Sequence, residues 1–216
     1  FQSKLQAEKA RQYFRDCGNE PGYYGFYLNR YELLKNDANY NGKNDLLKAL
    51  ELDSNQWRTY LALSEYFEEK QKYAAALEWS EKGLAKFPRK YVLAYQLAKS
   101  QLQNGNYAES VKTLESTDIL PNEGAKYGRV TFRQANIVMA LEHLENNRFE
   151  ETKKAIEKAR LWPENLGVGK PYDTDERIED YLESLYWTKK GETQKAAELQ
   201  QRVIESTLNA SAPGVA

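Results

Sequence analysis

Few side chains in this sequence could carry chemistry. There is one histidine, His143, and one cysteine, Cys17. A zinc site built from His and Cys needs more donors than these two, and a Ser-His-Asp triad would have to use His143. That residue sits between Leu141 and Leu144 in a helical pattern and reads as a helix-face side chain. A reactive thiol needs a partner or an electropositive pocket, and the histidine is far from Cys17 in sequence. The string Gly167-Val168-Gly169-Lys170 invites a phosphate-loop reading. That motif, however, requires glycine where Glu164 stands and Ser or Thr where Pro171 stands. Two readings of the string remain. Its amides can hold an anion or carboxylate beside Lys170, or the loop plugs a gap between helices with Trp162 and Leu166 buried. Asp173-Thr174-Asp175-Glu176 lacks the spacing and the glycine of a calcium loop. It reads as a helix start, Asp173 and Glu176 forming a capping box. No catalytic residue, no metal ligand and no cofactor is expected.

The elements that would position any functional residue repeat. Tyr73-Ala74 and Tyr107-Ala108 stand 34 residues apart (107 − 73), as do Leu63 and Leu97. Tyr60, Leu63, Ser64 and Phe67 recur at helical spacing. A polar turn, Glu69-Lys70-Gln71-Lys72, follows, and Tyr73, Ala76, Leu77, Ser80, Gly83 and Leu84 make a second stripe before Pro88. Helices packed at roughly 8–10 Å leave room only for small residues at Ser64, Ala76 and Gly83. The period, the small residues, the tyrosine opening the second helix and the closing proline resemble the tetratricopeptide repeat over residues 57–121. The implied fold is all-α: a TPR-like α-solenoid, a right-handed superhelix of antiparallel helix hairpins.

Taken in order, residues 1–22 read as an N-terminal capping helix, closed near Cys17-Gly18-Asn19 with Gly18 left-handed. Residues 23–56 read as a degenerate repeat, with helices at 23–35 and 45–52. Residues 57–90 are a repeat, and 91–132 and 133–176 are repeats carrying inserts. Residues 177–208 form a last repeat and 209–216 a tail. The inserts follow from subtraction. Phe149 stands 42 residues after Tyr107 (149 − 107) and Thr193 stands 44 after Phe149 (193 − 149), where the period allows 34. Both excesses fall between one hairpin and the next, around Leu120–Arg129 and Leu161–Asp173. Each mixes Pro, Gly, an aromatic ring and charge, which suits a loop of fixed shape.

The inserts carry a narrower likeness. Leu120-Pro121-Asn122-Glu123-Gly124-Ala125 with Gly128-Arg129, then Trp162-Pro163-Glu164-Asn165-Leu166-Gly167-Val168-Gly169-Lys170-Pro171 with Asp175-Glu176-Arg177-Ile178, resemble the C-terminal region of a family of large bacterial proteins. In that family a β-rich N-terminal domain of unknown function, with a suspected carbohydrate link, precedes a tetratricopeptide array. The resemblance implies a binding module and no catalysis in this region. By the repeat register Tyr24, Tyr27 and Tyr31 would face the concave side, with Arg58 and Tyr95 among the binding residues. Alternatively the three tyrosine rings pack against residues 1–16. Asn122, Glu123, Arg129, Glu164, Asn165 and Lys170 would form a second edge on the inserts. The implied partner is a protein or peptide, or an upstream domain of the same polypeptide, through which a carbohydrate link stays open.

Composition narrows the field. The 216 residues hold 31 basic and 32 acidic side chains, so no positive excess favours nucleic acid. No run of about 18 apolar residues suggests a membrane span. The first residue is Phe1, which leads to the expectation of a longer polypeptide and leaves the compartment open; a single cysteine is compatible with the cytosol.

Overall fold

Apolar residues three and four apart share one face of a helix, and nearly the whole chain is written in that spacing. The computed structural model describes residues 2–17, 21–121 and 126–210. Among them are eleven α-helices: α1 Gln2–Asp16, α2 Tyr24–Leu34, α3 Gly42–Leu52, α4 Trp57–Glu69, α5 Tyr73–Lys86, α6 Tyr91–Gln103, α7 Tyr107–Glu115, α8 Lys126–Glu145, α9 Phe149–Arg160, α10 Arg177–Lys189 and α11 Thr193–Ala210. A single 3-10 turn, Glu164–Leu166, lies between α9 and α10. The chain divides into two compact units, Phe1–Ser100 and Gln101–Ala216. The expected Gly18 cap lies outside the described residues.

In the first unit α2 pairs with α3 and α4 with α5, and α3 packs on α4. Tyr31, Leu46, Ala62, Leu63, Phe67 and Ala76 form one core cluster. The small residues sit where the spacing places them. A Cβ on Gly83 would lie 2.9 Å from Cβ of Tyr60, and Ser64 and Ala76 are fully buried. Burying hydroxyls demands partners. Oγ of Ser64 and of Ser80 lie 3.0 and 2.9 Å from the carbonyl oxygen of Ala76. Ser80 is also 2.7 Å from Ser64 and 2.9 Å from Ser100. The α2–α3 pair is fixed by a buried ion pair: Arg30 donates twice to Asp45, at 2.6 and 2.5 Å, and the Tyr40 hydroxyl donates to the same carboxylate.

In the second unit α8 pairs with α9 and α10 with α11, while α7 packs on α8 and α10 on α9. Ala140, Ala155, Ile156 and Leu182 make its core cluster. Four helix ends along the chain share one backbone device. Gln71, Gly105, Asn147 and Gly191 have positive φ (56°, 80°, 54° and 79°), each two residues before the next helix. The amide after each returns to a carbonyl five residues back: Lys72 to Phe67, Asn106 to Gln101, Arg148 to His143 and Glu192 to Trp187, at 2.8 to 3.0 Å. This is the Schellman closure, in which the left-handed residue frees the chain to reverse.

Several boundaries move. Helix α3 begins at Gly42, not Asp45, because the missing side chain lets the Tyr31 ring lie against the first turn; a Cβ there would be 2.6 Å from Cδ2 of Tyr31. Helix α8 begins at Lys126, so residues 126–129 are helix and not insert, and a division at 132/133 falls inside it. The expected capping box at Asp173 does not form. Helix α10 starts at Arg177, whose amide donates to Oδ1 of Asp175 at 3.1 Å, a local turn that ends before Asp173 can cap anything.

Candidate functional site

In the first unit, α2, α4 and α6 bring charged residues to a shared face. Lys35, directly after α2, pairs with Glu32 at 2.8 Å, and Lys99 on α6 pairs with Glu68 of α4 at 2.5 Å. Gln96 donates to both Glu68 and the buried Ser64, each at 3.0 Å, so the face is anchored to the serine chain beneath it. Between these pairs lies Glu65. It is half-buried and, unlike Glu32 and Glu68, makes no hydrogen bond or ion pair among the described residues. Burial raises its pKa, and Lys35 only partly opposes that. Lys99 shows the opposite balance: burial alone would lower it, but the hydrogen bond and charge of Glu68 leave it raised. Glu69 lies close enough to act on Lys35 and Tyr31. Four glutamates, Glu32, Glu65, Glu68 and Glu69, therefore face two lysines, Lys35 and Lys99, and the face is acidic by two charges.

Two of the tyrosines expected on that face, Tyr27 and Tyr31, are not there, and Tyr24 is half-buried. Tyr27 and Tyr31 are each only 1% exposed, and Tyr31 belongs to the core cluster. The reason is register. Tyr24, Tyr27 and Tyr31 have the spacing of Tyr60, Leu63 and Phe67, 36 residues on (60 − 24), not that of the solvent-side positions 34 on. The chain makes up the difference in the longer link 35–41 between α2 and α3, against 70–72 between α4 and α5. Packing against residues 1–16 falls instead to Phe26, whose ring meets Phe14 at 5.2 Å. Arg58 is exposed, its guanidinium 4.6 Å from the Trp57 ring. Tyr95 is half-buried on α6, near Lys99. Glu68 is half-buried in α4 and paired. Sequence reasoning passed over Glu65 and Lys99, although a signal existed: they stand 34 apart (99 − 65), equivalent positions of successive repeats carrying opposite charge.

In the second unit the inserts meet. The amide of Ile119 donates to the carbonyl of Asn165 at 2.7 Å. Nδ2 of Asn165 donates to the carbonyls of Leu114 and Thr117, each at 2.8 Å. Leu166 is fully buried between them. Gly167 has φ +70°, and a Cβ there would lie 2.4 Å from the carbonyl oxygen of Ile119. Asn165 is thus a strut between loops, not a free contact. Arg129 is likewise internal, only 4% exposed. It donates to the carbonyl of Ala159 at 2.7 Å, with its guanidinium 4.6 Å from the Trp162 ring. The anion cradle read at Gly167 to Lys170 does not form, since the Gly167 amide donates to the carbonyl of Glu164 and Lys170 pairs with Glu176 at 3.1 Å. The gap-filling alternative holds for Leu166, which is buried, whereas Trp162 is only half-buried. Glu164 is exposed, and Asn122 and Glu123 lie outside the described residues. Among the described residues no group of His, Cys, Asp and Glu could hold a metal ion, and no helix is long and apolar enough to cross a membrane.

No protein-family model and no curated protein matches the sequence. Solved structures do match. MamA from Desulfovibrio magneticus RS-1, from residue 41 to its end, superposes with a TM-score of 0.59 at 16% identity, over 88% of this chain and 97% of that one. YrrB, described as a TPR protein with an unusual peptide-binding site, gives 0.58 at 18% identity, over 85% and 86%. PilW, described as a widely conserved type IV pilus biogenesis factor, gives 0.51 at 14%, over 99% and 89%. At such identities the likeness speaks to fold: an all-α solenoid of the tetratricopeptide type.

Proposed function

We propose that this tetratricopeptide-fold chain binds a protein or peptide on the shared face of α2, α4 and α6, and that the bound segment presents a lysine or arginine to Glu65. The supporting observation is the Glu65 carboxylate: of the two glutamates on that face with no ion pair among the described residues, Glu65 and Glu69, it is the half-buried one. On this acidic surface Lys35 holds Glu32 and Lys99 holds Glu68, while Glu69 is exposed, so the half-buried Glu65 is the place where an incoming cation meets the least competing solvent. The peptide binding described for YrrB agrees in kind with this reading. An upstream domain and a carbohydrate link rest on the sequence likeness of residues 115–190, and no feature of this face favours them.

The test is fluorescence anisotropy with a labelled lysine-containing peptide and its twin carrying glutamate. Binding of the lysine peptide alone is expected, weakened about tenfold by Glu65→Gln, since a hydrogen bond to a charged group contributes about 1.5–3 kcal/mol. It should also weaken as pH falls through the raised pKa of Glu65 and the carboxylate takes a proton. Stability should move the other way. A carboxylate whose pKa is raised by folding costs stability when ionised, so the free protein gains stability over that same fall in pH. Equal binding of both peptides, or a Glu65→Gln variant that binds as before, would remove the proposal.

A further inference from the structure

A pocket of about 210 Å³ opens between α8, the second insert and the start of α10. Arg129, Arg133 and Trp162 line it, together with Asp173, Asp175, Glu176 and Glu179. Its charges can be cancelled in pairs. Arg133 donates twice to Glu179, at 2.5 and 2.6 Å. Asp175 is held by Arg177 at 2.7 Å, which keeps its carboxyl down at about 2. Glu176 is shared by Lys170 at 3.1 Å and Arg160 at 3.3 Å. Two charges remain. Arg129 is buried with no carboxylate partner, and Asp173 is exposed with no ion pair among the described residues.

Arg129 is the unusual one. Its Nη2 donates to a carbonyl and its face lies on Trp162, yet among the described residues its buried Nε finds no acceptor, and neither does the indole Nε1 of Trp162. Burial weakens the hold of Arg129 on its proton, and Arg133 adds to the effect. Leaving a buried charge unpaired is among the costlier arrangements a fold can keep. A water could accept from one N–H, but it would not neutralise the guanidinium.

We propose that this pocket binds a small zwitterion of the α-amino acid type, its carboxylate on the Arg129 side beside Trp162 and its ammonium group toward Asp173. Three features carry the assignment. The unpaired donors of Arg129 and Trp162 call for an acceptor with negative charge. The unpaired carboxylate of Asp173 on the pocket wall calls for a cation. The volume lies below the roughly 300–1,000 Å³ of drug-sized sites, so the ligand is small. The site is independent of the acidic face of the first unit.

Glycine is the minimal probe, with glycinamide lacking the carboxylate and acetate lacking the ammonium. Binding is read by calorimetry on the full chain and by tryptophan emission, with Trp162→Phe identifying the signal. Glycine is expected to bind saturably at millimolar concentration and to change Trp162 emission. Glycinamide should bind at least about tenfold more weakly, as befits the loss of charge-assisted hydrogen bonds. Asp173→Asn, an exposed change compatible with the fold, should weaken glycine about threefold and leave acetate unaltered. No saturable response to glycine, L-alanine or L-aspartate overturns the site. Glycinamide binding as well as glycine overturns the carboxylate assignment, and glycine binding unchanged in Asp173→Asn overturns the zwitterion.

Discussion

The stack α4–α5 of the first unit and the stack α8–α9 of the second turn their corners in the same way, with a left-handed residue and a five-residue return bond, but they join to the next helix differently. After α5 only residues 87–90 intervene before α6, and the seam is made of side chains: Ser64, Ala76, Ser80, Gly83 and Ser100 are small enough for close approach, and the serines satisfy one another. After α9 residues 161–176 intervene, and the join is made of backbone, with Ile119 bonded to Asn165, Asn165 to two carbonyls, and Gly167 pressed on Ile119. A loop buried between helices must satisfy its own amides and carbonyls, and these two inserts do so on each other. The difference teaches that the repeat tolerates insertion only where the added chain brings its own partners.

The contrast breaks most sharply at Ala76. Its side chain is fully buried and its carbonyl oxygen lies within hydrogen-bond distance of two serines, so Ala76→Arg forces length and charge into a seam built for a methyl group. A loss on the order of 3 kcal/mol or more is expected in chemical denaturation. A melting point unchanged from the parent would show that the seam is not closed by small residues. In the second unit the corresponding weak point is backbone. Gly167→Ala adds a Cβ 2.4 Å from the carbonyl oxygen of Ile119 and a penalty for positive φ, and about 2 kcal/mol is expected. Gly105→Ala is the control: φ is +80° there, yet the nearest atom is 3.9 Å away, so only the conformational part, about 1 kcal/mol, should be lost. Equal losses at the two glycines would mean that the inserts do not bear on one another.

How much of this could be read from the residues follows from the same contrast. The 34-residue period gave the hairpins, the small-residue seam and the places of the two excess stretches, because helix packing imposes a side-chain size at fixed intervals. The tyrosines of α2 were misplaced because a period was extended across a link of different length; their own spacing of three and four matched the core stripe and carried the better register. Arg129 and Asn165 were read as outward binding residues, and both are internal. Pattern alone does not tell a polar side chain that meets solvent from one that meets a carbonyl about thirty or fifty residues away. The position of Glu65 was marked by its 34-residue equivalence with Lys99, but its lack of a partner, which gives it interest, leaves no mark in sequence. The likeness of residues 115–190 to a larger bacterial family rests on sequence alone.

The smallest predicted effect tests the shared turn. Of its four left-handed positions two are glycine, Gly105 and Gly191, and one is Asn147, a residue that tolerates positive φ. Gln71 is the exception, with φ 56° and a side chain that gains nothing from that conformation. A non-glycine residue there is disfavoured by roughly 1–2 kcal/mol, and glycine returns part of that through the greater freedom of its unfolded chain. Gln71→Gly should therefore raise stability by about 0.5 kcal/mol, and Gln71→Asn by less. Gln71→Val should lower it, since a β-branched side chain meets the conformation worst. The order Gly, Asn, Gln, Val in melting temperature would assign the turn to backbone conformation. If Gln71 proved the most stable, its side chain would be holding the turn, and the first-unit corner would differ from the Gly191 corner in cause as well as in residue.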